Sequence, residues 1–220
     1  MKNKIKPILF GTPMVQAILE DRKNQTRRLI KPQPELKENS GYNTKGAAYG
    51  VGTSKKETDH NFISCVSKIQ KGDILWVRET FADLKNGHNE QYYTYKGDGY
   101  YEKPDWNWKP SIFMPKAACR IFLEVTNVRV ERLQDIYEDD AINEGIDIIE
   151  QDEAYRDYDG GGWGCYATAK GSFFSLWNSI NGKDSWKENP WVWVYDFKRV
   201  VKPKNFLNTN SEAVSNLNSI

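Results

Sequence analysis

Apolar residues recur at helical spacing in three short segments of the chain. Each segment has a capping residue at its start, a glycine after its end, or both, and these are the positions where helices begin and stop. One face of each helix is therefore expected to pack against a core. The predicted helices run from residue 12 to about residue 23, from 136 to 144 and from 172 to 182.

Runs rich in β-branched and aromatic residues predict the strands. In the run 74–81 successive apolar residues fall on both faces, which is typical of a strand in the middle of a sheet. The predicted strands are 8–10, 74–81, 91–96 in a hairpin with 100–101, 120–125 with 127–130 as either its partner or its continuation, and 191–201.

Two long polar stretches rich in glycine, at about 31–71 and 147–170, interrupt these elements. Both are interpreted as insertions, and we expect the first to be partly mobile. Residues 203–220 are rich in Asn and Ser and are predicted to form a disordered tail. Residues 1–202 then form a single domain. Because strands outnumber the short helices, the sequence predicts an α+β fold, a small mixed β-barrel with peripheral helices.

The composition is that of a globular protein without a strong charge bias. The formal net charge of 220 residues is only +1, so any site for an anion has to be local. Three scattered cysteines and two histidines predict neither a disulfide framework nor a metal site, and no cofactor is expected. No apolar run approaches the length that spans a membrane, so we expect a cytoplasmic protein without membrane contact.

One short stretch concentrates reactive groups in this nearly neutral chain. Residues 21–28 place Arg22, Lys23, Arg27 and Arg28 around the hydroxyl of Thr26. An amine beside a hydroxyl suits either a bound phosphate or an activated nucleophile. Burial and neighbouring cations lower the pKa of a lysine, which would let Lys23 act as a base. The alternative is a solvated helix end followed by a strand whose threonine favours β structure.

Several segments, taken in order, resemble the ASCH family, whose fold is the PUA-like β-barrel. The likeness is strongest to ASCH proteins carried by bacteriophages and prophages, which share a Trp-x-Pro-Ser-Ile-Phe-Met-Pro-like segment and a final Pro-Trp-Val-Trp-Val-like strand. Each segment is weak alone, and their order carries the resemblance. The matching residues are 19–28, 72–79, 108–115, 125–128, 133–146 and 190–194.

The resemblance implies RNA binding in a barrel cleft and, as in some small bacterial members, metal-independent hydrolysis of the amide of N-acetylated cytidine. Position by position, the family's catalytic lysine falls on Lys23, its nucleophilic threonine on Thr26 and its catalytic glutamate on Glu144. The usual Gly-x-Lys-Thr reads Asp-Arg-Lys-Asn here. The implied partner is RNA or a modified nucleoside, in the bacterial host cytoplasm if the chain is phage-encoded. The oligomeric state stays open.

Further residues are candidates for binding the nucleic acid or nucleoside. Arg27 and Arg28 can hold phosphate, although Arg28 can equally form a salt bridge with Glu79 across the barrel. Trp76 is either a core residue, the commoner role, or a platform on which a base stacks. Trp108 lies in a polar loop flanked by proline and lysine, which suits single-stranded nucleic acid as well as anchoring of the loop.

Four functions remain open on the sequence alone. They are an amidohydrolase, a non-catalytic RNA-binding module in the same cleft, a ribonuclease that uses Lys23 and Glu144 as base and acid, and a phage accessory protein that binds a host factor through its insertions. Asp139 and Asp140 are interpreted simply as acids at a helix start. Convergence of Lys23, Thr26 and Glu144 in one pocket would favour catalysis.

Overall fold

The computed structural model describes residues 4–38, 40–49, 52–85, 88, 90–99, 106–160 and 164–207. The chain forms two compact units, each assembled from separate stretches of sequence. The first unit consists of Met1–Gln16, Asp73–Glu124 and Lys198–Ile220, and the second consists of Ala17–Gly72 and Val125–Phe197.

Strands and helices together account for most of the described residues. The strands, in chain order, are β1 (Ile5–Leu9), β2 (Gln25–Leu29), β3 (Glu35–Lys37), β4 (Gly41–Thr44), β5 (Ala47–Tyr49), β6 (Ile74–Arg78), β7 (Phe81–Lys85), β8 (Gln91–Tyr95), β9 (Phe122–Arg132), β10 (Ile148–Ile149), β11 (Ala154–Arg156), β12 (Cys165–Tyr166) and β13 (Trp191–Val200). The α-helices are α1 (Thr12–Leu19), α2 (Lys55–Val66), α3 (Glu138–Asn143) and α4 (Ala169–Asn181).

In the first unit β6 is the central strand. It pairs in parallel with β1 along its whole length and antiparallel with the first residues of β9. Leu75 and Val77 on one face and Trp76 on the other are all buried, so both faces of β6 are covered. The central position predicted from the apolar pattern is confirmed.

An antiparallel hairpin of β7 and β8 completes the first unit. Residues 91–95 therefore pair with the strand before them, and the predicted partner at 100–101 lies outside the described residues. Phe206 is fully buried and its ring contacts the rings of Trp76 and Phe122. It belongs to the segment predicted as a disordered tail, of which residues 208–220 lie outside the described part of the chain.

The second unit is built on β13, which lies between β2 and the remainder of β9. Val192 and Val194 of β13 belong to an apolar cluster with α3 and α4, whereas Trp191, Trp193 and Tyr195 belong to another with β4 and α2. Since side chains alternate along a strand, the two clusters cover the two faces of β13. The alternation predicted for this last strand is confirmed.

The polar segment 31–71 carries regular structure. Strands β3, β4 and β5 form a small antiparallel sheet, and α2 follows it. The ring of Phe62 in α2 stacks on those of Tyr42 and Trp193, with centroids 4.4 and 5.2 Å apart. A few aromatic anchors, and not the mean composition, therefore decide the structure of this segment. Residues 147–170 likewise contain the small sheet of β10, β11 and β12.

The first helix is shorter than predicted. It ends at Leu19 and not near Lys23, because the backbone turns into the left-handed region at Asp21, where φ is 59°. This turn frees Lys23 to form an isolated bridge with Glu144. The early end of α1 is therefore what brings the reactive stretch to α3.

The start of α4 differs from the prediction, and the extent of β9 decides between two alternatives that the sequence left open. Helix α4 begins at Ala169 and not after Ser172, because the side chain of Thr168 accepts a hydrogen bond from the N–H of Gly171 and caps the helix earlier. Strand β9 is one continuous strand, so residues 127–130 continue 120–125.

The structure has the mixed α+β class that the sequence predicts. The strand orders of the described residues are open, so closure into a barrel stays a prediction, as does the single-domain organisation. Among the described helices none is long and apolar enough to cross a membrane.

Candidate functional site

The ammonium of Lys23 and the carboxylate of Glu144 form a buried pair in the second unit. Lys23 Nζ donates to Glu144 Oε2 and to the main-chain oxygen of the same residue, at 2.7 Å in each case. The side chain of Lys23 is 0% exposed and that of Glu144 is 4% exposed. The structure thus brings together two of the three predicted catalytic residues.

Local backbone geometry makes this approach possible. Glu144 caps the C-terminus of α3, and Gly145 follows in the left-handed region with φ 82°. A Cβ at Gly145 would lie only 2.7 Å from the Cβ of Lys23. Glycine is therefore required twice over, by its φ and by the close contact. The N–H of Asn24 donates to the carbonyl of Asn143 at 3.0 Å and fixes the two segments side by side.

The surroundings of Lys23 shift its pKa downward. Burial lowers the pKa of Lys23 from its ordinary value, and the charges of Arg28 and Arg27 lower it further, while Glu144 opposes them. The net pKa is lowered. A lowered pKa makes the lone pair of the amine available at a lower pH than in an exposed lysine, which is what a general base requires.

Arg27 binds the opposite side of the Glu144 carboxylate. Its Nη1 lies 3.2 Å from Glu144 Oε1, and its Nη2 lies 3.0 Å from Asp140 Oδ2 and 3.3 Å from Glu131 Oε2. The guanidinium is 0% exposed, and Gln25 Oε1 accepts a further hydrogen bond from it. Arg27 thus holds these carboxylates in place, and its binding of phosphate stays a prediction.

Asp140 is a member of this network that sequence reasoning missed. It was interpreted as an acid at a helix start, yet it accepts hydrogen bonds from Gln25, Arg27 and Arg129. Burial raises its pKa, but these partners outweigh that effect and the pKa of Asp140 is lowered. Asp140 and Glu144 are four residues apart in the predicted helix, so they share one face, and that spacing was a usable signal.

Thr26 is buried on β2, opposite Tyr195 of β13. Alternation places Thr26 and Arg28 on the face of β2 opposite to Gln25 and Arg27. Arg28 is close enough to Lys23 for its charge to lower the pKa of that lysine, and the Glu144 charge acts in turn on Arg28. Arg28, on the same face as Thr26, is thus electrostatically coupled to the pair of Lys23 and Glu144.

The other predicted binding residues belong to the first unit. Both oxygens of Glu79 accept hydrogen bonds from Arg120, each at 2.9 Å, and the guanidinium of Arg120 lies 3.9 Å from the ring centroid of Tyr95. Burial raises the pKa of Glu79 although Arg120 opposes the effect. Trp76 is 6% exposed in the core of this unit, which is the commoner role that the sequence left open.

Trp108 lines an open groove of the first unit. Its ring is half-buried and meets the ring of Trp106 edge to face, with centroids 5.5 Å apart.

The described residues contain no group of three or more His, Cys, Asp or Glu side chains that could hold a metal ion.

Comparison with known proteins gives little beyond the sequence motifs. No protein-family model matches the chain, and no curated protein matches it. A similar solved structure is the ASCH domain from Lactobacillus crispatus JV V101, which is 14% identical, with the match covering 90% of this chain and 81% of that chain. Its TM-score of 0.35 is too low to establish a shared fold or activity, so the family stays a prediction.

Proposed function

We propose that this chain is an ASCH-type protein that binds RNA or a modified pyrimidine nucleoside at Lys23 and Glu144 and hydrolyses the amide of N-acetylated cytidine to cytidine and acetate. The observation that carries the proposal is the environment of Lys23, which is fully buried, has a lowered pKa and is held by the carboxylate of Glu144. This lysine stands three residues before the buried Thr26. A phage or prophage origin and a cytoplasmic setting belong to the same proposal.

In the proposed reaction the neutral amine of Lys23 takes the proton of the Thr26 hydroxyl. The Thr26 oxygen attacks the acetyl carbon, the bond from that carbon to the exocyclic nitrogen breaks, and the nitrogen takes the proton from Lys23. Cytidine leaves and an acetyl ester remains on Thr26. Lys23 then takes a proton from a water molecule, whose oxygen attacks the ester carbon. The bond from that carbon to the Thr26 oxygen breaks, this oxygen takes the proton back from Lys23, and the acetic acid that leaves ionises to acetate in solvent. The same base can instead activate a water that Thr26 orients.

Glu144 has a supporting role in this scheme. Its Oε2 is 2.7 Å from Lys23 Nζ, so it stabilises the ammonium that forms when Lys23 collects a proton. Arg27 holds Oε1 of the same carboxylate and keeps it oriented toward the lysine. Because both oxygens of the carboxylate are bound, Glu144 is a positioning residue that orients Lys23 and stabilises its charge.

The test is the incubation of purified protein with N-acetylcytidine and measurement of cytidine and acetate. Thr26→Ala should abolish turnover, whereas Thr26→Ser keeps a hydroxyl and should retain part of it. Thr44→Ala is a matched control, since Thr44 is also a buried threonine of the second unit and its hydroxyl has no hydrogen-bond partner among the described residues. No turnover by folded wild-type protein, or equal turnover by Thr26→Ala, would sink the proposed reaction.

A binding module without catalysis is the second candidate. Both oxygens of Glu144 pair with cations, and structural ion-pair networks also shift the pKa values of their members. The lowered pKa of Lys23 is therefore compatible with a site that binds without catalysis. In that case RNA would bind with a strong dependence on salt and would stay intact, and Arg28→Ala would weaken it. Cleavage of the RNA would instead support the ribonuclease alternative.

A further inference from the structure

An aromatic groove in the first unit has no role in the proposed reaction. It has a volume of about 580 Å³, within the usual range for ligand sites. Its walls come from the hairpin of β7 and β8 and from the segment 107–115. The aromatic side chains among its lining are Phe81, Tyr93, Trp108 and Phe113.

Phe113 is the unusual member of this groove. Its side chain is 69% exposed although it is large and apolar, and its neighbour Ile112 is 59% exposed. Phe81 and Tyr93 instead pack edge to face with centroids 6.1 Å apart, and Trp108 packs in the same way on Trp106. The groove thus has ordered aromatic walls and one ring that offers its surface to solvent, which marks a contact site more than a core.

The polar groups at the groove suit the edges of bases. Gln91 and Asn107 are among its lining residues, and a side-chain amide offers both donors and an acceptor. The two charged lining residues, Asp83 and Lys109, neutralise each other at 2.6 Å. The lining itself therefore has no net charge, and affinity there would come from stacking and hydrogen bonds.

A cation beside the groove gives it a preference for anions. Arg78 donates to the main-chain oxygen of Ile112, in the turn that presents Phe113. Across the described part of the chain, no carboxylate lies within ion-pair distance of Arg78, so its charge is not offset there. The run 106–120 contains Lys109, Lys116 and Arg120 and no Asp or Glu, and of these Lys109 pairs with Asp83 and Arg120 with Glu79 and Asp98. A single strand of nucleic acid combines faces that stack with phosphates that such a guanidinium can bind.

From this combination we propose that the groove binds unpaired nucleobases of single-stranded RNA, with a base on Phe113 and the adjacent phosphate on Arg78. The inference deepens the RNA-binding half of the proposed function, because it names a strand and not only a free nucleoside as the ligand. A neutral proline-rich peptide is the other occupant that aromatic grooves accept, but it would bring no anion to the guanidinium of Arg78.

The test measures fluorescence anisotropy of a labelled single-stranded RNA of about a dozen nucleotides, enough to cover one such stacking site. The same RNA annealed to its complement and a labelled oligoproline peptide serve as rival ligands. Phe113→Ala should weaken single-strand binding roughly 5- to 150-fold, the loss typical of one stacked base. Phe113→Leu keeps apolar bulk without a ring and should also weaken it, whereas Phe113→Tyr should not. Arg78→Gln should reduce the slope of log affinity against log salt by about 0.7.

Matched controls come from exposed residues of the second unit. Tyr137→Ala removes a ring that is 77% exposed, and Lys183→Gln removes an exposed cation, and both should bind RNA as the wild type does. The inference is overturned if Phe113→Ala binds like the wild type, if duplex binds as well as single strand, or if the peptide binds and RNA does not. Loss of N-acetylcytidine hydrolysis alone would remove the proposed reaction and leave this groove standing.

Discussion

Lys23 donates to the carboxylate and to the main-chain oxygen of the same residue, Glu144, at 2.7 Å each. The second contact joins the ammonium to the C-terminus of α3, where the helix dipole also favours a positive charge. One residue therefore supplies both a charge and a carbonyl to a buried amine. The arrangement keeps Lys23 in one position while burial lowers its pKa.

Glu144→Ala should destabilise the protein strongly. The change leaves two buried cations, Lys23 and Arg27, without this carboxylate, and removal of one partner of a buried pair typically costs about 3–5 kcal/mol. Chemical denaturation measures the free energy of unfolding. Glu35→Ala breaks only an exposed pair with Lys37 and should change little. Similar small losses in both variants would mean that the Glu144 pair contributes nothing to stability.

Gly145→Ala tests the close approach of α3 to Lys23. The new Cβ would meet the Cβ atoms of Lys23 and Ala17 at 2.7 and 2.8 Å, in addition to the strain of a positive φ. Gly46→Ala carries the strain alone, because no atom of the described chain lies within 4 Å of its Cβ position. We expect Gly145→Ala to lose roughly 1–3 kcal/mol more than Gly46→Ala. Equal losses would show that the site relaxes without cost.

The buried phenol of Tyr195 predicts a loss of stability at high pH. Burial raises its pKa from 10.0 to about 12, although the hydrogen bond with Ser67 and the charge of Arg28 oppose the shift. The unfolded chain loses this proton first, so the contribution of Tyr195 is complete below pH 10 and is lost as pH rises to about 12.

Between these pH values, the free energy of unfolding of Tyr195→Phe should decline less steeply with pH than that of the wild type. Ser67→Ala is the control, since it removes the hydrogen bond at 3.3 Å but keeps the phenol, and it should retain the steep decline. A wild-type and a Tyr195→Phe curve of the same slope would contradict the assignment.

The sequence predicts elements better than it predicts their contacts. The pattern 74–81 identified a central strand, because a strand covered on both faces has apolar residues at every position. The meeting of Lys23 with Glu144 was available from the resemblance. The ion pairs of Arg27 with Asp140 and Glu131 were not, since they depend on how α3 and β9 come to one side of β2. Asp140 also had a sufficient local explanation as an acid at a helix start.

The segment 31–71 shows a second limit. Its mean composition predicts a polar insertion, yet Tyr42 and Phe62 are fully buried against Trp193. A few large rings can outweigh many polar residues, because burial of one aromatic side chain stabilises a structure by about 1.5–3 kcal/mol. Pattern reasoning that averages over a window does not detect such isolated anchors.

The most direct test is the release of acetate from N-acetylcytidine by wild-type protein and by Lys23→Arg as a function of pH. The wild type should turn over the substrate, with a rate that falls as pH drops through the pKa of Lys23, and that midpoint should lie below 10.5. Lys23→Arg stays charged and should be slower by at least about 100-fold. A folded wild type that releases no acetate at any pH, or an equally active Lys23→Arg, would contradict the account.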